Sequence, residues 1–301
     1  MLDNQIILKT EHLNKEFVSK KQRTKAVNNL SFQLRRGETY GLVGESGCGK
    51  TTTGRLIIKL LQADSGKIFF NNIDISDMST KEFRKMRSSI QMIFQDPFAS
   101  LNPRMKIRKL LEEAVASRKH IEEKVEDIIE ELIISVGLDV KDLDKYPHEF
   151  SGGQRQRIVI ARAIATQPEL IICDEPVSAL DLLVQGQILK LLKDLQKKYN
   201  FTYIFISHNL SVVRYMSDRI AVMCMGKIVE EGTTEEIFAN PSHIYTKLLL
   251  ESIPTINEGN EGREYEKSYY DNKYNEAIEN VRLKSDKRIY LSETHYTLQN
   301  I

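Results

Sequence analysis

Gly44-Glu45-Ser46-Gly47-Cys48-Gly49-Lys50-Thr51 decides the fold. The octet fits the pattern GxxxxGK[ST]. It lies between Thr39-Tyr40-Gly41-Leu42-Val43, which reads as a buried strand, and a helical stretch expected over Thr51 to Leu61. Strand, glycine-rich turn and helix in that order form a phosphate cradle. The glycines let backbone N–H groups face an anion, Lys50 reaches β- and γ-phosphates, and the Thr51 hydroxyl binds Mg²⁺. Cys48 stands where a helix N-terminus lowers a thiol pKa, but it reads as a small residue in a crowded loop before it reads as a redox switch.

Two further constellations lie downstream. Leu170-Ile171-Ile172-Cys173-Asp174-Glu175 is an apolar strand ending in two carboxylates, an expensive place for acid unless it serves a cation or a reacting group. Asp174 suits Mg²⁺ through water, and Glu175 suits orienting or deprotonating an attacking water. Ser151-Gly152-Gly153-Gln154 precedes a helical segment running from Ile158 to Ala165. Ser151 is therefore an N-cap candidate, and the paired glycines expose backbone donors for a second anion. Taken alone, the same four residues read equally well as a simple helix-start turn.

Outward from these motifs, Ile6 to Phe32 reads as an antiparallel β layer whose hairpin tip, Ser19 to Arg23, is a solvated basic loop. Met105 to Gly137 has helical periodicity and reads as a helical insert. Glu169–Cys173 and Thr202–Ile206 bracket a helix from Leu182 to Tyr199, a βαβ unit of a largely parallel sheet. Ile220 to Gly232 reads as a closing hairpin, and Tyr245 to Leu250 as a helix.

The chain of 301 residues is 41% hydrophobic, so it can bury a substantial core. Its 43 basic and 42 acidic residues leave a net charge of +1, with no global basic field, and no nucleic-acid partner is expected. No apolar run approaches the roughly 18–20 residues that cross a bilayer. The N-terminus lacks the pattern of a secretory signal, so a cytoplasmic chain is expected. Three cysteines without CxxC spacing argue against disulfides and structural zinc. Six of the twelve tyrosines fall between Tyr265 and Tyr296, and residues 255–301 hold nine acidic and seven basic residues. This shift marks a boundary. Beyond it a partly ordered appendage is expected, with a helix near Glu276 to Leu283 and a hairpin around Ile289 to Leu298. Whether its tyrosines touch a partner or pack locally is not decided by the sequence.

In order and spacing, Gly44 to Thr52, Phe150-Ser151-Gly152-Gly153-Gln154 and Leu170 to Glu175 resemble the Walker A, signature and Walker B motifs of an ABC-type ATPase. Gln95 resembles the Q-loop, Ser178-Ala179-Leu180-Asp181 the D-loop, and His208 the switch histidine. Phe17, ahead of the Lys25-Ala26-Val27 strand, resembles the aromatic that stacks on adenine, with Val27 also placed at the nucleotide. The resemblance implies an α/β P-loop NTPase with a mostly parallel central sheet, an N-terminal antiparallel β layer and a helical subdomain at about 96–165. The ATP-binding domain would span 1–254 and a C-terminal extension 255–301. It further implies ATP and Mg²⁺ as ligands. Gly44, Glu45, Ser46, Gly47, Cys48, Gly49, Lys50, Thr51 and Thr52 would hold one nucleotide, and Ser151, Gly152, Gly153, Gln154 and Asp181 would serve a partner's across a head-to-tail dimer. Thr51, Gln95 and Asp174 would serve the metal, and Glu175, His208, Gln95 and Lys50 catalysis.

Gln95-Asp96-Pro97-Phe98-Ala99-Ser100-Leu101-Asn102-Pro103-Arg104 and Asn240 to Leu249 are similar to segments of ATP-binding subunits of peptide and nickel importers, most like the F-type subunit of oligopeptide and dipeptide permeases. Ile244 departs from the usual proline, and the absence of cysteine after Cys224 excludes the iron–sulfur cluster that some relatives carry. The resemblance implies a D-type second ATP-binding subunit, two membrane-spanning permease subunits and an extracytoplasmic binding protein. The location would be peripheral, on the cytoplasmic face of the membrane. Nickel or a metal complex is the alternative cargo. A soluble ABC protein of translation or DNA repair would bring two cassettes, a coiled-coil insert or a basic surface, and none of these is seen.

Overall fold

In the computed structural model, the described residues are 5–19, 23–118, 121–252, 273–275, 277–279, 281 and 287–298. In chain order the elements begin β1 (Ile6–Val18), β2 (Arg23–Arg35), β3 (Thr39–Val43), α1 (Lys50–Ile57), β4 (Ser65–Phe70), β5 (Ile73–Asp74), α2 (Thr80–Phe83) and β6 (Ile90–Ile93). There follow α3 (Pro97–Ser100), α4 (Ile107–Val115), α5 (Val125–Ser135), α6 (Gly152–Ile164), β7 (Leu170–Asp174), α7 (Leu182–Tyr199) and β8 (Thr202–Ser207). The remainder is α8 (Leu210–Met216), β9 (Arg219–Cys224), β10 (Lys227–Thr233), α9 (Thr234–Ala239), α10 (Ile244–Glu251), β11 (Arg288–Tyr290) and β12 (Tyr296–Leu298). These group into two compact units. One comprises the described residues of Met1–Ile7, Arg35–Glu38 and Asp77–Phe205, the other those of Leu8–Leu34, Thr39–Ser76 and Ile206–Ile301.

In the first unit β6 pairs in parallel with β7, Ile90 opposite Leu170 and Ile93 opposite Cys173. Every residue of β7 is buried, the expected signature of a strand covered on both faces. The insert is helical as its periodicity implies. Ile107, Leu110, Leu111 and Val115 of α4 and Ile128, Ile129, Leu132 and Ile133 of α5 are the buried faces. The spacing of three and four places each set on one stripe.

In the second unit β2-β1-β4-β5 form the expected antiparallel layer; the residues 20–22 of its hairpin tip lie outside the described residues. Here β3 pairs in parallel with β9, and β9 is antiparallel to β10. The β9–β10 hairpin does not close the sheet, contrary to expectation. Strand β12 pairs with β10, Glu230 opposite Thr297 and Glu231 opposite Tyr296, and β11 pairs with β12. The expected C-terminal hairpin therefore exists, but as two further strands of the sheet and not as an appendage. The described residues between 273 and 281 are helical, beginning ahead of the expected position; Glu276, Leu283 and Tyr265 lie outside the described residues.

Helix α1 also differs, stopping at Ile57 and not near Leu61. Lys59 takes a left-handed φ of 54°, and its ammonium donates to the carbonyls of Ile75 and Ser76 at 2.7 Å each, which fixes the turn.

His243 caps α10, its Nδ1 accepting from the Tyr245 N–H at 3.1 Å. Burial pushes its pKa down to about 4, against the pull of the Glu230 carboxylate. An unfolded histidine titrates near 6.5. Between these values only the unfolded chain takes up the proton, so stability is lost as pH falls from about 6.5 toward 4 and is unaffected by this group above that range. Unfolding measured at pH 7 and pH 5 is expected to show a loss of about 2 kcal/mol that His243→Asn, which keeps a cap for α10, removes.

Candidate active site

In the second unit β3 delivers the chain into the turn Gly44–Gly49, and α1 begins at Lys50. Gly44, Gly47 and Gly49 all have positive φ. A Cβ on Gly49, whose φ is 111°, would stand 2.0 Å from the Ala26 carbonyl oxygen, so only glycine fits. Lys50 is buried at 4% exposure, and its ammonium donates to the carbonyls of Gly44 at 2.6 Å and Glu45 at 2.7 Å. Among the described residues no carboxylate pairs with it. The Cys48 sulfur, 3.8 Å away, completes its surroundings. A buried cation held by neutral groups is the complement of an anionic ligand, and this fits the chain to a nucleotide phosphate. Thr53 anchors the turn from below, its hydroxyl donating to the Gly49 carbonyl at 3.0 Å. Burial pushes the Cys48 thiol up despite the neighbouring Lys50, which leaves it a packing residue without thiolate reactivity.

The same unit holds Phe17, Val27 and His208. Phe17 is 43% exposed at the end of β1, with the Lys15 ammonium 5.8 Å from its ring centre. It presents a free aromatic face. Val27 has no exposed surface, so its side chain belongs to the core and offers no face to a base. His208 is exposed in the turn between β8 and α8, next to Asn209, whose side chain caps α8 by accepting from the N–H groups of Ser211 and Val212.

In the first unit Gln95 follows β6 and Glu175 follows β7. The parallel pairing of those strands brings the two together, Gln95 Nε2 donating to Glu175 Oε2 at 3.1 Å. Asp174 is buried at the end of β7. Glu175 itself has a φ of +48°, an uncommon conformation for a residue with a side chain and one that collects at functional turns. The turn is secured by Ser178, whose N–H and hydroxyl both donate to the Glu175 carbonyl.

Ser151 is the N-cap of α6. Its hydroxyl accepts from the Gln154 N–H at 3.3 Å while the Gln154 side chain accepts from the Ser151 N–H at 3.0 Å. Gly153 lies where a Cβ would stand 2.5 Å from the Val184 side chain, which ties α6 against α7. Asp181 caps α7, accepting from the Val184 N–H at 3.0 Å. In this chain alone both residues thus act as helix caps. Among the described residues no cluster of three His, Cys, Asp or Glu side chains forms a metal cage.

The sequence profile of the ABC transporter matches residues 27–178, and that of the oligopeptide/dipeptide transporter C-terminal region matches residues 229–274. The oligopeptide transport ATP-binding protein OppF of Bacillus subtilis is 47% identical over 92% of this chain and 90% of its own. The chain belongs to the ABC transporter family. As a member it is an ATP-binding and ATP-hydrolysing protein. The dipeptide transport ATP-binding protein DppF of Lactococcus lactis is 50% identical over 78% of this chain and 77% of its own. Among solved structures, cbiO1 from Clostridium perfringens superposes with a TM-score of 0.70 at 30% identity, covering 80% of this chain and 93% of that one. A dimeric ATP-binding cassette bound to ADP and Pi gives 0.69 at 27% identity, covering 76% and 99%.

Two residues at this ABC transporter site escaped the sequence reading. The Tyr245 hydroxyl accepts from the Glu45 N–H at 3.2 Å, and the Tyr274 hydroxyl donates to the Glu45 carboxylate. No local spacing links positions separated by 200 and 229 residues. The clustering of tyrosines between Tyr265 and Tyr296 is a signal for Tyr274, and the Asn240 to Leu249 segment one for Tyr245.

Gly49→Ala must displace the loop or the Ala26 carbonyl. With backbone strain of about 1–3 kcal/mol, nucleotide binding by titration calorimetry should weaken roughly ten- to hundred-fold.

Proposed function

We propose that the chain powers uptake of oligopeptides or dipeptides, hydrolysing ATP as one of two ATP-binding subunits beneath two membrane-spanning subunits, with an extracytoplasmic binding protein delivering the cargo. The observation that carries this reading is the match of residues 229–274 to the oligopeptide/dipeptide transporter C-terminal region, in a chain about half identical to peptide-transport ATP-binding proteins. The location that follows is the cytoplasmic face of the membrane, held there by partners. No helix among the described residues is long and apolar enough to cross it. A D-type subunit is the second ATP-binding partner in this reading, the ATPase domain spans 1–254 and the extension 255–301.

Within that reading Lys50 and the loop Gly44–Thr52 hold the β- and γ-phosphates. The Thr51 hydroxyl, Asp174 through water, and Gln95 would serve Mg²⁺, which would neutralise charge developing on those phosphates. Glu175 accepts the proton of the attacking water, and its hydrogen bond to Gln95 holds the carboxylate in place. His208 contacts the γ-phosphate. The cap roles of Ser151 and Asp181 are compatible with a second role: the α6 N-terminus offers backbone N–H groups to a partner's nucleotide, and Asp181 meets the partner subunit.

Glu175→Gln keeps the shape and removes the base. Binding of ATP is expected to stay within about two-fold of wild type while turnover in the assembled complex falls at least 100-fold; near-normal turnover would show that Glu175 is not the base. Lys50→Ala should abolish measurable ATP affinity. Cargo is tested in cells lacking the chain: uptake of labelled tri- to hexapeptides should be lost and restored by the wild type but not by Glu175→Gln. A selective loss of nickel uptake would assign the alternative cargo.

A further inference from the structure

Glu45 is held at three atoms. Its carbonyl accepts from the Lys50 ammonium at 2.7 Å and from the Cys48 N–H at 3.3 Å, its N–H donates to the Tyr245 hydroxyl at 3.2 Å, and its carboxylate accepts from the Tyr274 hydroxyl. Two of these four holds come from the C-terminal part of the chain. The rings of Tyr245 and Tyr274 are themselves in contact, centroids 5.9 Å apart and inclined at 45°. Tyr245 is buried and Tyr274 half-buried. Burial, joined for Tyr274 by the Glu45 carboxylate, pushes both phenols up, so both stay neutral hydroxyls across the working pH range.

The three N–H donors of Lys50 face the carbonyls of Gly44 and Glu45 and the Cys48 sulfur. A phosphate that draws the ammonium toward itself competes with those partners, and the inner tether on the first peptides of the loop weakens at the moment a ligand arrives. The Cys48 N–H, 3.3 Å from the same Glu45 carbonyl, belongs to the loop itself; the contacts that hold Glu45 from outside the loop are those of the two tyrosines. We propose that Tyr245 and Tyr274 are positioning residues that preform the phosphate loop, through the backbone and carboxylate of Glu45, so that the nucleotide meets a loop already in its binding shape. The inference rests on the reading of Gly44–Thr52 as the nucleotide site. Neither tyrosine touches a reacting atom, so the effect falls on affinity: a loop that must be ordered on binding costs the ligand the entropy that a preformed one does not.

Phenylalanine keeps each ring and deletes only the hydroxyl. The full chain carrying Tyr274→Phe or Tyr245→Phe, titrated with a fluorescent ATP analogue in the presence of Mg²⁺, should bind about five-fold more weakly, the worth of one hydrogen bond. The double variant should lose less than the product of the two, because both act through one residue. Nucleotide-free thermal midpoints should stay close to wild type for Tyr274→Phe, whose side chain is half-exposed. Unchanged affinity in both single variants overturns the proposal. So does an affinity loss matched by an equal loss of nucleotide-free stability, the behaviour of a purely structural contact. Lys50→Ala separates the two layers. If that variant still binds the analogue, the reading of the loop has failed; if it does not and the tyrosine variants bind normally, only this inference has.

Discussion

The space around the phosphate loop is the constraint on which the second unit is built. Strand β3 runs parallel to β9 with Val43 opposite Val222, so the next residue on each strand, Gly44 and Met223, must also meet. A Cβ on Gly44 would lie 2.1 Å from the Met223 carbonyl oxygen, closer than atoms pack. Across the loop the Ala26 carbonyl of β2 closes on Gly49 in the same way. The β9–β10 turn adds a third side, the Gly226 N–H donating to the Cys48 carbonyl at 2.9 Å. Gly44 and Gly49 are therefore demanded twice, by a positive-φ backbone and by neighbouring main-chain oxygens that leave no room for a side chain, whereas Gly47 is demanded by its φ of 85° alone. A loop walled in by backbone, with its ammonium met by two of its own carbonyls and the Cys48 sulfur, holds a ready cation for an anion to claim.

The first unit solves a different problem, that of setting a carboxylate beside a water. Parallel β6 and β7 end level with each other, which puts Gln95 and Glu175 within one hydrogen bond. The left-handed turn at Glu175 lifts that carboxylate off the strand line, while Asp174, one residue earlier, stays buried. Consecutive strand residues point to opposite faces. A regular strand continued through Glu175 would have aimed the two acids apart, and the turn after β7 is where the chain escapes that alternation.

Much of this was legible from short runs of residues. Buried strands announce themselves as apolar runs of five or six, and all of β3, β7 and β8 were visible that way because covered parallel strands need no alternation. The Ser151 cap was legible from the serine and the glutamine three residues on. What escaped is what local rules do not encode. Lys59 ends α1 by a side-chain grip on carbonyls sixteen and seventeen residues away. Val27 lies in a stretch that resembles a nucleotide contact, yet the strand's alternation turns it to the core. Strands β11 and β12 are legible as a hairpin, but their place beside β10 is set by partners far upstream that no local pattern names.

Those two short strands are fixed less by area than by charge. Glu230 and Glu231, adjacent on β10, point to opposite faces and are both buried. Glu230 is satisfied by the N–H groups of Ser242 and His243, and at 2.7 Å by His295, which sits just before β12. Glu231 is pushed up by burial and countered by Arg219, while Tyr296 of β12 lies directly across the ladder. Removing the C-terminal strands would take from Glu230 its bond to His295 and from Glu231 its cover by Tyr296, leaving two carboxylates of the strand with fewer partners than they have when buried. Arg288 adds a further tie, donating to the Ser31 carbonyl at 2.7 Å. The segment bearing Tyr274 is thus bounded by α10 on one side and by the β11–β12 pair on the other, both anchored in the second unit. The helical stretch that carries Tyr274 between those anchors buries Ala277 and Val281 and sets the Tyr274 ring against Tyr245, so core packing and the polar burial at one edge of the sheet together hold the hydroxyl at Glu45.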